Sequence, residues 1–417
     1  MTMQKMVKHF IASVALVSLM TSCGRSFVIE VCNTTDMDRH PEMVELCLEQ
    51  VQDKLSLKDG ETFIVRNSAG EEVPYQITYD SKVIFPVTLT SNGTHRYDIS
   101  KGTPSEYTVK VCGGHYPERE DDLCWENDVT GYRAYGFKDD VASGYDLFVK
   151  RDTDLPIIKG MYAKAFDPEL MRIHSELMKA DKDSADRFNC DHMTIHVDHG
   201  YGMDCYAVGR TLGAGVAALV DDDKIVYPYC YDSFEILDNG PIRFTLKMTF
   251  RPFNVGGCKD VVETRIISLD LGSHFSRTEV SYAGLDRQMP IVTGIVVQDT
   301  DGKACGDAQN GYIAYPAPTI NYDRQRDVDN GTIFIGHVFP NALESVGLCY
   351  FPEEESASRG GSKGHMLAHS QYDPQNPFVY YWGFGWDHSD IASYDQWLEY
   401  LESRSYQLRN PLSITIK

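Results

Sequence analysis

A strict two-residue hydrophobic period is the feature that most limits what this chain can become. In Ile242-Arg243-Phe244-Thr245-Leu246-Lys247-Met248-Thr249-Phe250, apolar side chains occupy every second position and polar or basic ones lie between. Successive side chains of an extended strand point to opposite faces, so this pattern demands a strand with one buried and one wet face. The residues at 262–269 and 276–282 continue the series, with Asn239-Gly240-Pro241 and Leu271-Gly272-Ser273 as the turns between. Further strand-like runs lie at 333–335 and 378–382. Helical periodicity is confined to short stretches near 48–55, 168–179 and 391–401. The chain is therefore expected to be mainly β. A small β-sandwich-like module over residues 23–110, with strands at 27–31, 62–65, 75–79, 83–87 and 107–111, should precede a large antiparallel β-sandwich over 111–417. Residues 182–187 read as an exposed loop.

The first 22 residues stand outside this pattern. Lys5 and Lys8 precede an apolar stretch from Phe10 to Met20 that is too short to span a bilayer, as in an export signal. Leu19-Met20-Thr21-Ser22-Cys23 then resembles a bacterial lipoprotein cleavage site, with Cys23 as the lipidated residue. An exported protein of the periplasm or cell envelope, touching the membrane only through its N-terminal lipid, is expected. Ten of the 11 cysteines remain after Cys23, and export permits disulfides, with Cys32/Cys47 and Cys112/Cys124 as local candidates. The net charge of −22 repels phosphate backbones, so no nucleic acid partner is expected.

The densest chemistry lies at Asp191-His192-Met193-Thr194-Ile195-His196-Val197-Asp198-His199-Gly200-Tyr201-Gly202-Met203-Asp204-Cys205-Tyr206. Histidine, carboxylate and tyrosine side chains transfer protons or hold metals near neutral pH. His192, His196 and His199 have metal-ligand spacing only on a helix, and Ile195 and Val197 read instead as a strand entering a turn at Gly200 and Gly202. Proton transfer by His199, beside Tyr201 or Tyr206, is the favoured reading, with Asp204 as a further acid or base. No metal and no cofactor are expected. A hydrogen-bonded loop, whose histidines satisfy backbone groups, is the alternative.

A second cluster, Trp125-Glu126-Asn127-Asp128, sets an aromatic ring beside two carboxylates and an amide. Sugars are gripped by such groups, ring faces on Trp and hydroxyls on carboxylates and amides. Glu126 and Asp128, two apart, are candidates for a paired acid and base on one face of a strand. Arg133 and Lys150 are candidate cations for an acidic sugar. His365, Trp382 and Trp386 are candidates to line the same cleft from the other end of the chain. A capped turn with a core tryptophan, and cations that neutralise local acids, are the competing readings.

Together, Trp125-Glu126-Asn127-Asp128, Tyr132-Arg133-Ala134-Tyr135-Gly136, the run from His199 to Gly209 and Tyr381-Trp382-Gly383-Phe384-Gly385-Trp386 resemble the motifs of an exported domain-of-unknown-function family. That family is common in glycan-degrading gut bacteria and often accompanies enzymes of pectin and uronate degradation. The resemblance implies a main domain similar to the galactose-mutarotase-type supersandwich, and an oligo- or polysaccharide ligand. It points to a carbohydrate-active protein with lyase- or hydrolase-type acid/base chemistry. Epimerase chemistry and a non-catalytic carbohydrate-binding lipoprotein remain open beside it, because fold does not determine function.

Cys23→Ala should abolish incorporation of labelled fatty acid and release the protein from the membrane fraction. Unchanged labelling and fractionation would overturn the lipoprotein reading.

Overall fold

The computed structural model describes residues 25–136, 144–151 and 155–417; the segment 1–22, expected to be an export signal, and Cys23, the expected lipidation site, lie outside the described residues. The protein is mainly β and every paired register between its strands is antiparallel. Its centre is a sandwich. One layer is a nine-stranded sheet in which Ser233–Asn239, Arg243–Thr249, Cys258–Asp270, Phe275–Ala283, Phe378–Trp386, Thr332–Val338, Tyr312–Pro318 and Cys305–Asp307 follow one another, with Phe253–Val255 pairing beside Cys258–Asp270. The facing layer contains Lys224–Ile225, Ala217–Asp221, Met289–Val297, Gly364–Tyr372 and Ser345–Tyr350.

The alternation at 242–250 produces this arrangement directly. Phe244, Leu246 and Met248 enter the core, while Arg243, Lys247 and Thr249 face outward. Strand Cys258–Asp270 departs from the simple rule: Glu263 and Arg265 point inward with Ile267 and Leu269. They are tolerated because Arg265 donates to Glu263, to the Tyr145 hydroxyl at 2.9 Å and to the Ala217 carbonyl at 3.2 Å.

Aromatic residues fill the middle. Trp382 stacks on Tyr145 at 4.4 Å and meets Tyr132 edge-on at 4.9 Å, with Trp125 behind them. Each buried tryptophan removes about 150–250 Å² from water, or roughly 4–6 kcal/mol of transfer free energy before ordering entropy is subtracted.

The N-terminal unit has its own core, formed by Phe27, Ile29, Val31, Phe85 and Ile99 with Val51 and Leu55 of helix Leu48–Leu55. The last strand of the chain, Ser413–Ile416, pairs with Ser26–Cys32 and completes this unit. Residues 107–111 form no strand; Thr94–Lys101 is instead the central strand of this unit's five-stranded sheet, between Ser26–Cys32 and Phe63–Asn67. Cys32, Cys47, Cys112 and Cys124 are thiols. Cys112 lies opposite Glu126 and Cys124 opposite Gly114, so the expected local bridge is two residues out of register.

Two local expectations fail for identifiable reasons. Residues 182–187 are helical, within Lys182–His192, because Asp181 caps the segment by accepting from the Ser184 N–H. Residues 195–200 form turns rather than a strand, with Gly200 and Gly202 at positive φ. The closing helix runs Tyr394–Arg409 and seats Trp397 and Leu401 on the outer face of the large sheet, against Phe275 and Phe334. Among the described residues no helix is long and apolar enough to cross a membrane.

Three histidines are held neutral by this packing. Burial pushes His337 down to about 4 and His365 to about 3, and burial with Arg404 pushes His40 to about 4. In the unfolded chain they bind protons below about pH 6.5. Their contribution to stability is therefore present above that pH and lost as pH falls toward 4. Asp122 acts oppositely: burial raises it to about 6, so its contribution is lost as pH rises through 6. His365→Gln should therefore lift the melting temperature at pH 5 relative to that at pH 7 when set against the parent. An identical pH profile in the two proteins would contradict the buried, neutral state of this histidine.

Candidate functional site

A second, smaller sheet builds the site. Cys112–Tyr116, Asp122–Glu126, Gly131–Ala134, Asp146–Lys150 and Gly202–Met203 lie side by side, and the middle three are buried throughout. Directly opposed residues share a face, and the register places Trp125, Tyr132 and Leu147 together on one side. That side belongs to the apolar core. The other side carries Asp122, Cys124, Glu126, Arg133, Asp146, Phe148 and Lys150, and is covered by Met161 and Tyr162 of helix Ile158–Ala165. Five of those seven residues are ionisable acids or bases of full charge, and all five are buried. They must be paired.

Two networks pair them. In the first, Lys150 donates to Glu126 at 2.8 Å and to the Asn127 carbonyl. Glu126 also accepts the Ile157 and Ile158 N–H groups, both at 2.9 Å, at the start of the covering helix. This network is closed. In the second, one nitrogen of Arg133, Nη2, serves Asp146, Asp204 at 2.7 Å and the Tyr135 hydroxyl at 2.9 Å. Tyr135 also donates to Asp146. Asp122 stands 3.7 Å from Arg133 and accepts the Tyr162 hydroxyl at 2.8 Å.

The second network opens on a cleft of about 420 Å³ whose wall includes Arg119, Tyr135, His196, Tyr206 and Tyr322. Asp204 reaches it because its N–H bonds the Ile195 carbonyl at 2.9 Å, folding the 195–204 loop back on itself. Gly202 permits that fold, with φ at +131° and a position where a Cβ would lie 2.0 Å from the Val149 carbonyl. His196 Nδ1 lies 2.9 Å from the Asp204 carbonyl and 3.3 Å from its carboxylate. With Nδ1 committed, Nε2 is the ring nitrogen outside that pair, on a residue that lines the cleft. Tyr322, 38% exposed, stacks on the imidazole at 4.5 Å. The buried Tyr206 hydroxyl has no hydrogen-bond partner among the described residues.

The charges separate by proton affinity. Burial, reinforced by the neighbouring Asp204 charge, raises Asp146 above the ordinary carboxylate value. Burial also opposes ionisation of Asp204, but Arg133 and His196 outweigh it and hold Asp204 low. For His196, burial favours the neutral ring, yet the Asp204 charge and hydrogen bonds prevail and raise it. Two carboxyls driven apart, beside a histidine anchored on one of them, form the pattern that acid/base sites use.

Of the residues singled out in the sequence, Arg133, Asp204 and Tyr206 meet here, together with His196, which the sequence offered only as one of three histidines weighed for a metal. The others do not. His199 points Nε2 at the Thr194 carbonyl, 3.2 Å away, and Tyr201 lies against Lys164. Trp125, Trp382 and Trp386 are core groups whose indole N–H groups bond Ser276, Thr278 and the Asn330 carbonyl, so none presents a face to a sugar. Asn127 ties a turn to the Asp270 and Ser273 carbonyls, and Asp128 accepts the Gly272 N–H. Glu126 and Asp128 therefore have separate structural partners. Lys150 is sealed by Glu126, and His365 accepts the Leu212 N–H at 3.0 Å in the core. His192 contacts Phe188, so the three histidines of the central stretch have three different surroundings, and no group of described side chains is arranged to hold a metal. Sequence reasoning missed Asp146, Tyr135, Arg119 and Tyr322. The alternation of Arg133 and Tyr135 marked a shared face, but only strand pairing sets Asp146 opposite Arg133.

Residues 31–414 match the family described as "Domain of unknown function (DUF4861)", and the chain belongs to that family. "Uncharacterized protein P7" of Formosa agariphila is 25% identical over 439 residues, spanning 99% of this chain and 100% of that protein. Among solved structures, an alpha-mannosidase from Enterococcus faecalis V583 superposes with a TM-score of 0.40 at 7% identity, over 94% of this chain and 46% of that one. A protein in the Glycosyl Hydrolase Family 38 from the same species gives 0.39 at 8% identity, over 94% and 47%. This chain thus spans about half the length of those two, and a likeness of that grade carries no argument about activity.

Arg133→Met would leave Asp122, Asp146 and Asp204 without their shared cation. It should cost about 3–5 kcal/mol in urea unfolding, the usual price of an orphaned buried charge. Tyr206→Phe removes a hydroxyl with no partner to lose and should stay within about 1 kcal/mol of the parent. Equal stability of Arg133→Met and the parent would overturn the network reading.

Proposed function

We propose that the protein is an exported, carbohydrate-active enzyme that carries out acid/base chemistry of the hydrolase type in the cleft around His196. The observation that carries this reading is the His196–Asp204 pair. The imidazole is fixed through Nδ1, which leaves Nε2 outside that pair, and the buried Tyr206 hydroxyl of the same cleft has no hydrogen-bond partner among the described residues. A substrate hydroxyl would satisfy Tyr206, and Tyr322 at the mouth offers a ring face for a sugar's C–H groups. His196 then takes a proton from water as the water oxygen attacks the anomeric carbon, and Asp204 stabilises the imidazolium. The Tyr135 hydroxyl, turned from Asp146 to the substrate, gives its proton to the departing glycosidic oxygen and takes up the one held by Asp146, whose proton affinity is raised. The proton taken up by His196 replaces it when the site resets.

The same geometry bears on the kind of sugar. Elimination from a uronate needs a cation to neutralise the substrate carboxylate. Arg133 is already bound by carboxylates, and Lys150 is closed in by Glu126. Among the described residues that line the cleft, Arg119 is the remaining cation, and it lies 3.9 Å from Asp122. A neutral saccharide is thus the better fit than a pectic uronate. The non-catalytic alternative draws on Tyr322, which could serve as a binding platform alone.

Purified protein should be incubated with neutral and uronate oligosaccharides, with products read by mass spectrometry and by absorbance of unsaturated sugars. His196→Ala should lower turnover by about 10²–10⁴-fold while binding persists, and Tyr322→Ala should weaken binding. Because the base must be neutral, kcat/KM should rise with pH through a pKa above the ordinary histidine value, and Asp204→Asn should shift that rise to lower pH. Full turnover in His196→Ala would eliminate the enzymatic reading of this cleft. Unsaturated products from uronate chains would replace hydrolysis with elimination.

A further inference from the structure

A second cleft, of about 440 Å³, lies where the turns at 226–229 and 250–254 meet strands Cys258–Asp270 and Phe275–Ala283. Its size falls within the range of small-molecule sites. Tyr227, Tyr229, Phe250 and Phe253 wall it, and Glu263 and Tyr282 are its deepest polar residues, 2% and 4% exposed. The Tyr282 hydroxyl is buried and has no hydrogen-bond partner among the described residues. Leaving such a group unpaired costs about 1–3 kcal/mol, and phenylalanine would fill the space without that cost. Glu263 is already neutralised by Arg265, which also lies over the Phe250 ring at 4.5 Å. The depth of the cleft therefore offers hydrogen bonds but no uncompensated charge.

We propose that this cleft binds a neutral sugar residue, stacked on the aromatic wall, with a ring hydroxyl completing Tyr282 and Glu263. Aromatic faces suit the C–H surface of a pyranose, and a paired carboxylate beside a phenol suits its hydroxyls. An ionic ligand would meet Glu263 already paired with Arg265, and the Arg251 guanidinium on the wall already seated over the Tyr229 ring at 4.0 Å. The proposal does not depend on turnover at His196, since neither Glu263 nor Tyr282 lines the first cleft.

The test uses the mature chain carrying His196→Ala and Tyr322→Ala, which disable the first cleft. Methyl glycosides of glucose, galactose, mannose and xylose are titrated by saturation-transfer NMR and calorimetry. Saturable binding of at least one is expected. Adding Tyr282→Phe should weaken it about 5–10-fold, the loss of one hydrogen bond, while the melting temperature stays level or rises. Adding Phe253→Ala should weaken it further. Absence of saturable binding to all four probes would overturn the proposal, as would affinities unchanged by both cleft substitutions. A Tyr282→Phe protein that melts lower and binds normally would assign the hydroxyl a structural role and overturn it equally. Failure of hydrolysis at the first cleft, with binding here intact, would count only against the enzymatic reading.

Discussion

Arg133 is the group on which the site depends. One guanidinium, almost wholly buried, answers Asp146 and Asp204 through a single nitrogen and stands within ion-pair reach of Asp122. Three carboxyls around one cation cannot all hold their charge equally in a dry environment. The proton affinities are therefore forced apart, with Asp204 held low and Asp146 and Asp122 raised. His196 inherits its own raised proton affinity from Asp204. The chemistry available at the cleft follows from that unequal sharing.

The small sheet makes this possible by dividing its two faces completely. Trp125 and Tyr132 face the sandwich, while Glu126, Arg133 and Asp146 face a helix-covered polar layer. Adjacent residues on one strand thereby enter different worlds. Tyr145 stacks on Trp382 and accepts from Arg265, which pairs with Glu263 beneath the second cleft; Asp146, next in sequence, bonds Arg133 in the first. The surroundings of the two clefts are thus linked through Tyr145 and Asp146, neighbours at the start of strand Asp146–Lys150 whose side chains make separate contacts. Burial of the apolar face holds that strand in register, and the register determines which charges meet.

How far the site could be read from sequence differs residue by residue. Asp204, Tyr206 and Arg133 stood out because titratable and polar side chains are dense around them. His199 stood out for the same reason and lies elsewhere, turned to the Thr194 carbonyl. The positive-φ turn at Gly200 separates it from Asp204, whereas His196 sits where the loop folds back on that carboxylate. The tryptophan motifs misled for a physical reason. Aromatic residues suit both sugar faces and cores, and only burial tells the two apart. Asp146 was hidden because the residue opposite it across the sheet, Arg133, is 13 positions away in the chain.

By itself, the sequence determined the class of architecture: period-two alternation compels strands, and strands with one apolar face compel packed sheets. It also determined the composition of the site, since its histidines, carboxylates and tyrosines are concentrated in short runs. Tertiary structure alone decided which of them meet. Alternation states that Trp125 and Glu126 part company, but not which face becomes core and which becomes cleft. That choice belongs to strand register and to the loop closed by Asp204 and Ile195. Both depend on contacts between residues far apart in the chain, and local propensity contains no information about those.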